Sequence, residues 1–299
     1  SKRAYQGLIL HLKQHKSRSY KQMENLKLWA NGAPGYSPEL GPEPDLTPFI
    51  LENGRENGCI IVCPGGAYIL RAEHEGSVIS KRLNELGMSS FVLNYRINPY
   101  HYPYITADVI RAVRYVRYNA KRFNIDPNRI GILGFSAGGH LAVSSAVIWN
   151  EPDILEGYQT DDIDCVSARP DFQVLCYPVV SLATDTHELT RNVIIGDAAD
   201  PDRLIKRLSG ELNVTKDSPP AFIWSTANDP VVPVRNSVNY ASALINAGVP
   251  CELHIFPDGP HGLGLGIKDK KAGIQSDNGS VKQWVTLLKT FLVKYGFLK

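Results

Sequence analysis

The stretch that most restricts the fold is Gly134-Phe135-Ser136-Ala137-Gly138-Gly139. The apolar run Ile130 to Leu133 leads into it, and an alanine-rich run, Leu141 to Ala146, follows. A strand, a sharp turn and a helix fit that order, and such a turn lifts the Ser136 hydroxyl above a parallel sheet. Gly134 and Gly138 flank the serine because a side chain at either position crowds the strained turn.

The rest of the chain supplies the sheet. Cys59 to Cys63 is an unbroken apolar run, the pattern of a strand buried on both faces. Further strands are expected at 49–51, 89–94, 129–135, 173–177, 221–225 and 251–256. Helices are expected at 75–86, where Val78, Ile79, Leu83 and Leu86 share a face, and at 106–123, 138–149, 233–247 and 281–295. The Gly- and Pro-rich 31–48 reads as loop, Asp126-Pro127-Asn128 as a turn, 155–172 as irregular and acidic, and 182–213 as loop with short helix. Strands alternating with helices give the α/β class, a mostly parallel sheet covered by helices on both faces. No linker or repeat divides the 299 residues, so a single domain over 1–299 is expected, with a small cap or insert from 1–48 and 150–210.

A net charge of +2 argues against nucleic acid as a partner, and no stretch reaches the roughly 20 apolar residues that span a bilayer. The basic clusters Lys13, Lys16, Arg18, Lys21 and Lys268 to Lys271 read as solvated surface. The five cysteines, Cys59, Cys63, Cys165, Cys176 and Cys251, are odd in number and contain no C-x-x-C. Free thiols and a reducing, cytoplasmic compartment are therefore expected over secretion. The chain opens on Ser1, so removal of an upstream leader is compatible with it.

A serine hydroxyl is a poor nucleophile at neutral pH and needs a base that is itself oriented by an acid. In this strand–turn–helix setting the partners follow in the order Ser, acid, His. Asp229, just past strand 221–225, and His261, in the loop after strand 251–256, obey that order. Asp258 lies too close to His261 along the chain, and Asp217 precedes its strand, at the wrong edge. Backbone amides for the oxyanion are expected from Ala137 and from Gly66 and Ala67 in the loop after strand 59–63. Tyr68, Glu73, His74 and Glu75 lie on that loop and are substrate-binding candidates, weighed equally with helix capping and packing. His140, four residues past the serine, reads as a structural or supporting residue rather than a base, and Asn228 beside the acid reads as a supporting residue too.

His74, His101 and His187 form no H-x-x-x-H or H-E-x-x-H pattern, so no metal and no cofactor are expected. The glycines Gly131 and Gly134 do not form a dinucleotide-binding loop, because no glycine loop follows an early strand with an acid about 20 residues on.

With these residues in place the chain resembles the α/β-hydrolases of the small-esterase, acetylxylan-esterase-like group, related to the hormone-sensitive-lipase-like enzymes. The matching stretches are Leu28-Trp29 with Gly32-Ala33-Pro34, Cys63 to Tyr68, Glu73 to Gly76, Asn94-Tyr95-Arg96, Tyr102-Pro103 with Asp108, Asp126 to Gly131, Gly134 to Ala142, Tyr177-Pro178-Val179 with Thr186-His187, and Pro219 to Phe222. The resemblance implies hydrolysis of small acyl esters through a serine acyl-enzyme, often acetyl groups on sugars or xylan-derived oligosaccharides. It maps Ser136 onto the nucleophile, Asp229 onto the acid and His261 onto the base. Ala67 stands where the group has the last glycine of Pro-Gly-Gly-Gly-Tyr, so a methyl group enters the site. Ser225-Thr226-Ala227-Asn228-Asp229 replaces His-Thr-Ala-Asp-Asp, which keeps the acid and changes the groups around it. The expected partner is a small-molecule ester, including an acetylated sugar, and a homo-oligomer is compatible with the chain. A general short-chain esterase, a peptidase of the same fold and a non-catalytic binding protein are the alternatives.

Overall fold

The computed structural model describes residues 20–22, 24–150, 155 and 158–299. Expectations for 1–19, including Lys13, Lys16 and Arg18, and for most of 151–157 lie outside the described residues. Nine strands form one sheet: β1 (Tyr20–Gln22), β2 (Leu26–Lys27), β3 (Asp45–Leu51), β4 (Asn57–Cys63), β5 (Ser89–Asn94), β6 (Ile125–Phe135), β7 (Phe172–Cys176), β8 (Ala221–Thr226) and β9 (Cys251–Phe256). Their order is β1-β3-β5-β4-β6-β7-β8-β9, with β2 beside β3. β4 to β9 pair in parallel, and β3 runs antiparallel to β1, β2 and β5.

Alternation along the strands splits the apolar residues into two cores. Cys59, Ile61, Ile132, Leu175 and Ile223 enter one core. Ile60, Val62, Leu133, Val174 and Phe222 enter the other. Three helices, α2 (Tyr104–Tyr118), α3 (Ser136–Val147) and α6 (Arg235–Asn246), pack on the first core. The second is closed by α1 (Ser77–Leu86) and α7 (Trp284–Lys294). Between β7 and β8 lie α4 (Glu188–Ile195) and α5 (Pro201–Leu208), in the segment expected to contribute to a cap.

Several local expectations change in the structure. The segment 31–48 is not loop to its end, because β3 starts at Asp45 and runs through Pro48. Proline is tolerated there for a geometric reason. On the side facing β1 and β2, the pairs stop at Leu46 and resume at Phe49, so no bond is asked of Pro48. Asp126-Pro127-Asn128 keeps its turn chemistry inside β6, where pairing with β4 jumps from Asn57↔Ile125 to Cys59↔Ile130. The Asn128 amide donates to Asp126 Oδ1 within that bulge. Glu73–Glu75 is a separate 3₁₀ turn before α1, and Val78, expected on the buried face of α1, is 42% exposed.

Candidate active site

Five loops leave the C-terminal ends of neighbouring parallel strands and meet over the sheet, after β4, β6, β7, β8 and β9. That edge is where open α/β sheets form their sites. Ser136 opens α3 directly after β6 with φ +52, a left-handed conformation that costs a non-glycine residue about 1–2 kcal/mol. The turn is tight on both sides. A Cβ on Gly134 would lie 2.0 Å from the Gly138 carbonyl oxygen, and one on Gly138 would lie 2.1 Å from that of Cys63.

Ser136 Oγ lies 2.8 Å from His261 Nε2, and His261 Nδ1 lies 2.7 Å from Asp229 Oδ2. A carboxylate only accepts, so Nδ1 carries the proton, and in the neutral ring Nε2 accepts from the serine hydroxyl. Asp229 Oδ1 accepts from the amides of Val231 (2.9 Å) and Val232 (3.0 Å). Burial alone would raise the Asp229 carboxyl, but the His261 hydrogen bond and charge, with those two amides, hold it below its ordinary value. Asn228 Oδ1 accepts from the Gly259 amide, and Thr226 Oγ1 donates to the Gly259 carbonyl, so β8 steadies the loop that carries His261.

Gly65 packs directly on the serine turn, since a Cβ there would stand 2.8 Å from the Phe135 carbonyl oxygen and 3.0 Å from Ser136 Cβ. Gly66, Ala67 and Tyr68 follow with φ of +129, +54 and +62. The Gly66 carbonyl accepts from the amides of Ile69 and Leu70, which closes the loop. The amides of Gly66, Ala67 and Ala137 donate to no protein acceptor among the described residues.

The remaining candidates are placed differently from one another. Tyr68 has no exposed surface, so its side chain does not line a substrate site. Its hydroxyl lies 2.8 Å from His140 Nδ1, and His140 Nε2 donates to the Leu208 carbonyl at 2.9 Å. Glu75 is also buried, with Oε2 accepting from the Gly65 amide (2.8 Å) and Oε1 from the Tyr177 hydroxyl (2.6 Å). Both side chains face inward because their loop folds back onto α3 and β7. His74 is half-buried and donates from Nε2 to the Gly262 carbonyl. Glu73 is exposed on a groove of about 840 Å³ shared with Arg71, His74 and Lys271.

Sequence reasoning assigned no role to Tyr177, whose ring stands edge-on to His261 at 5.0 Å. The available signal was its position, one residue past the strand next to the serine strand. His187 also borders the site. Burial first and then the charge of His261 lower its imidazole, while Asp229 opposes them.

His140 makes stability pH-dependent. Its ordinary value is 6.5, and burial pushes it down to about 4, against the pull of the Leu208 carbonyl. The unfolded chain therefore binds this proton over a range where the folded chain does not. The contribution is complete above pH 6.5 and is lost as pH falls towards 4, by about 3 kcal/mol. Urea unfolding between pH 7 and 4.5 should show this slope, and His140→Gln should flatten it. An equal slope in both proteins would assign the loss to other groups.

All five cysteines are free thiols. No helix among the described residues is long and apolar enough to cross a membrane.

The sequence profile of the BD-FAE family matches residues 51–244. Over 225 residues the chain is 39% identical to an acetylxylan esterase of Xylanibacter ruminicola, which covers 73% of this chain and 43% of that protein. Over 261 residues it is 33% identical to endo-1,4-beta-xylanase B of Butyrivibrio fibrisolvens, covering 86% of this chain and 40% of that protein. The chain thus spans about two-fifths of the length of these two relatives. Among solved structures, an acetyl ester-xyloside bifunctional hydrolase from Caldicellulosiruptor lactoaceticus superposes with a TM-score of 0.85 at 44% identity. That match covers 93% of this chain and 98% of that one.

Proposed function

The chain belongs to the BD-FAE family of α/β-hydrolases and is of the carboxylic-ester-hydrolase type, and we propose that it removes small acyl groups, acetyl above all, from sugar or xylo-oligosaccharide esters through a serine acyl-enzyme. The observation that carries this reading is the continuous hydrogen-bonded line from Ser136 Oγ through the His261 ring to Asp229. His261 Nε2 takes the hydroxyl proton as Oγ bonds to the ester carbonyl carbon. Negative charge then develops on the carbonyl oxygen, where the amides of Gly66, Ala67 and Ala137 stabilise it. His261 returns the proton to the alcohol oxygen as the carbon–oxygen bond breaks. Water, deprotonated by the same nitrogen, attacks the acyl-enzyme; the proton goes to Ser136 Oγ and the acid leaves. Asp229 fixes the ring tautomer and stabilises the imidazolium.

Because His261 must reach the leaving oxygen, the alcohol has to sit on its side of the site. A groove of about 560 Å³ borders His261 and is lined by Asp258, Gln275, Ser276, Asp277 and Asn278. Such side chains suit the hydroxyls of a polyol better than an alkyl chain. The names of the similar acetylxylan esterase and acetyl ester-xyloside hydrolase point the same way.

The test is acetate release from acetylated xylo-oligosaccharides and monosaccharides, beside p-nitrophenyl acetate, butyrate and octanoate, with Ser136→Ala as blank. Strong release from the sugars with poor octanoate turnover is the expected result. Inert sugars with good butyrate or octanoate turnover would make the protein a general short-chain esterase. Preference for aminoacyl p-nitroanilides would make it a peptidase.

A further inference from the structure

The Glu73–Glu75 turn holds the loop that carries His261 at two points that the proposed chemistry leaves unused. His74 Nε2 donates to the Gly262 carbonyl at 2.9 Å. The Tyr177 hydroxyl donates to Glu75 Oε1 at 2.6 Å and accepts from the Gly264 amide at 2.8 Å. The other oxygen of Glu75 accepts from the Gly65 amide at 2.8 Å, one residue before the expected oxyanion donors. One carboxylate therefore links the oxyanion loop to the base loop.

This carboxylate is 3% exposed, and its only ion-pair partner among the described residues is His74, at 3.7 Å. Burying a carboxylate without a Lys or Arg is costly, so a purely structural position would favour a neutral side chain. What the position requires is two acceptors, because both groups that bond to it, the Gly65 N–H and the Tyr177 O–H, are donors. The loop being held is strained. Ala67 and Tyr68 are consecutive left-handed non-glycine residues, and such backbone persists only where its surroundings hold it.

We propose that Glu75 is a positioning residue, acting with Tyr177 and His74, that sets the oxyanion amides and the His261 ring in register with each other. The proposal rests on the ester-hydrolase reading above. Transition-state stabilisation needs the carbonyl oxygen at the amides and the leaving oxygen at Nε2 at the same time. A misplacement of about 1 Å can cost on the order of a hundredfold in rate.

The experiment compares Glu75→Gln, Tyr177→Phe and the double variant with wild type. Each is assayed on p-nitrophenyl acetate and on its thiono analogue, whose larger sulfur fits an oxyanion hole poorly. Tyr177→Phe keeps the buried ring and guards against a folding failure in Glu75→Gln. Each single variant should lower kcat about tenfold or more with KM within about threefold, and the double variant should fall little further. The preference for the oxygen ester should narrow. Amide hydrogen exchange should speed up at both Gly65 and Gly264 in Glu75→Gln, a readout that does not depend on turnover. Unchanged kcat in both variants, fully multiplicative losses, or raised KM with kcat kept would overturn the proposal; the last would return Glu75 to substrate contact. Failure of the ester-hydrolase reading would appear separately, as wild type no faster than Ser136→Ala.

Discussion

Ser136→Ala should cut p-nitrophenyl acetate turnover by about 10⁴-fold or more while leaving the fold intact, the scale seen when a serine nucleophile of this kind is removed. The substitution deletes one oxygen and keeps Cβ, so the left-handed turn meets no new atom. His261 loses the hydroxyl at 2.8 Å but keeps Asp229 at 2.7 Å. Any effect on stability should stay within about 1 kcal/mol, the net worth of one hydrogen bond. The residual rate expected is that of the proposed oxyanion amides acting on bound ester and water. Labelling by a serine-directed phosphonate should vanish in the same variant. Turnover above a few per cent of wild type, with labelling retained, would place the nucleophile elsewhere and remove the basis for the roles of His261 and Asp229.

The second large effect is steric. Gly138→Ala puts a Cβ 2.1 Å from the Cys63 carbonyl oxygen and 2.5 Å from that of Pro64. Both atoms are backbone, one at the end of central strand β4 and the other at the start of the loop that follows it, so neither can swing aside. Relief requires moving α3 or the strand end, and overpacking of this kind costs about 3 kcal/mol or more. At roughly 1.5–2 °C per kcal/mol for a chain of this length, Tm should fall by about 5 °C or more. Activity should fall further than stability, because the shift is felt first at Pro64 and the amides beyond it. Gly279→Ala is the control, since a Cβ there meets nothing within 4 Å, and its Tm should match wild type. A Gly138→Ala protein with normal Tm and normal kcat would mean that the turn has slack the structure does not show.

What could be read before any fold was known has a local cause. A glycine-flanked serine between an apolar run and a helical run specifies its own turn, because the chemistry that requires it lies within six residues. Strand β4 was legible for a similar reason, its Cys59–Cys63 stretch being an unbroken apolar run bounded by Gly58 and Pro64. Element ends were less so. Pro48 lies in a strand because of where β1 and β2 stop pairing, which no window around Pro48 contains.

Side-chain roles on the loop after β4 were the part that sequence left open. Tyr68, His74 and Glu75 stand within eight residues and look alike as polar loop residues facing a substrate. Their partners lie far along the chain, at His140, Gly262 and Tyr177. The sequence by itself determined the sheet, the serine turn and the order of Ser136, Asp229 and His261. Tertiary structure alone decided which polar groups are buried and what each bonds to. Whether a hydroxyl or carboxylate faces water or a donor depends on the loops that fold over it, and those arrive from other strands.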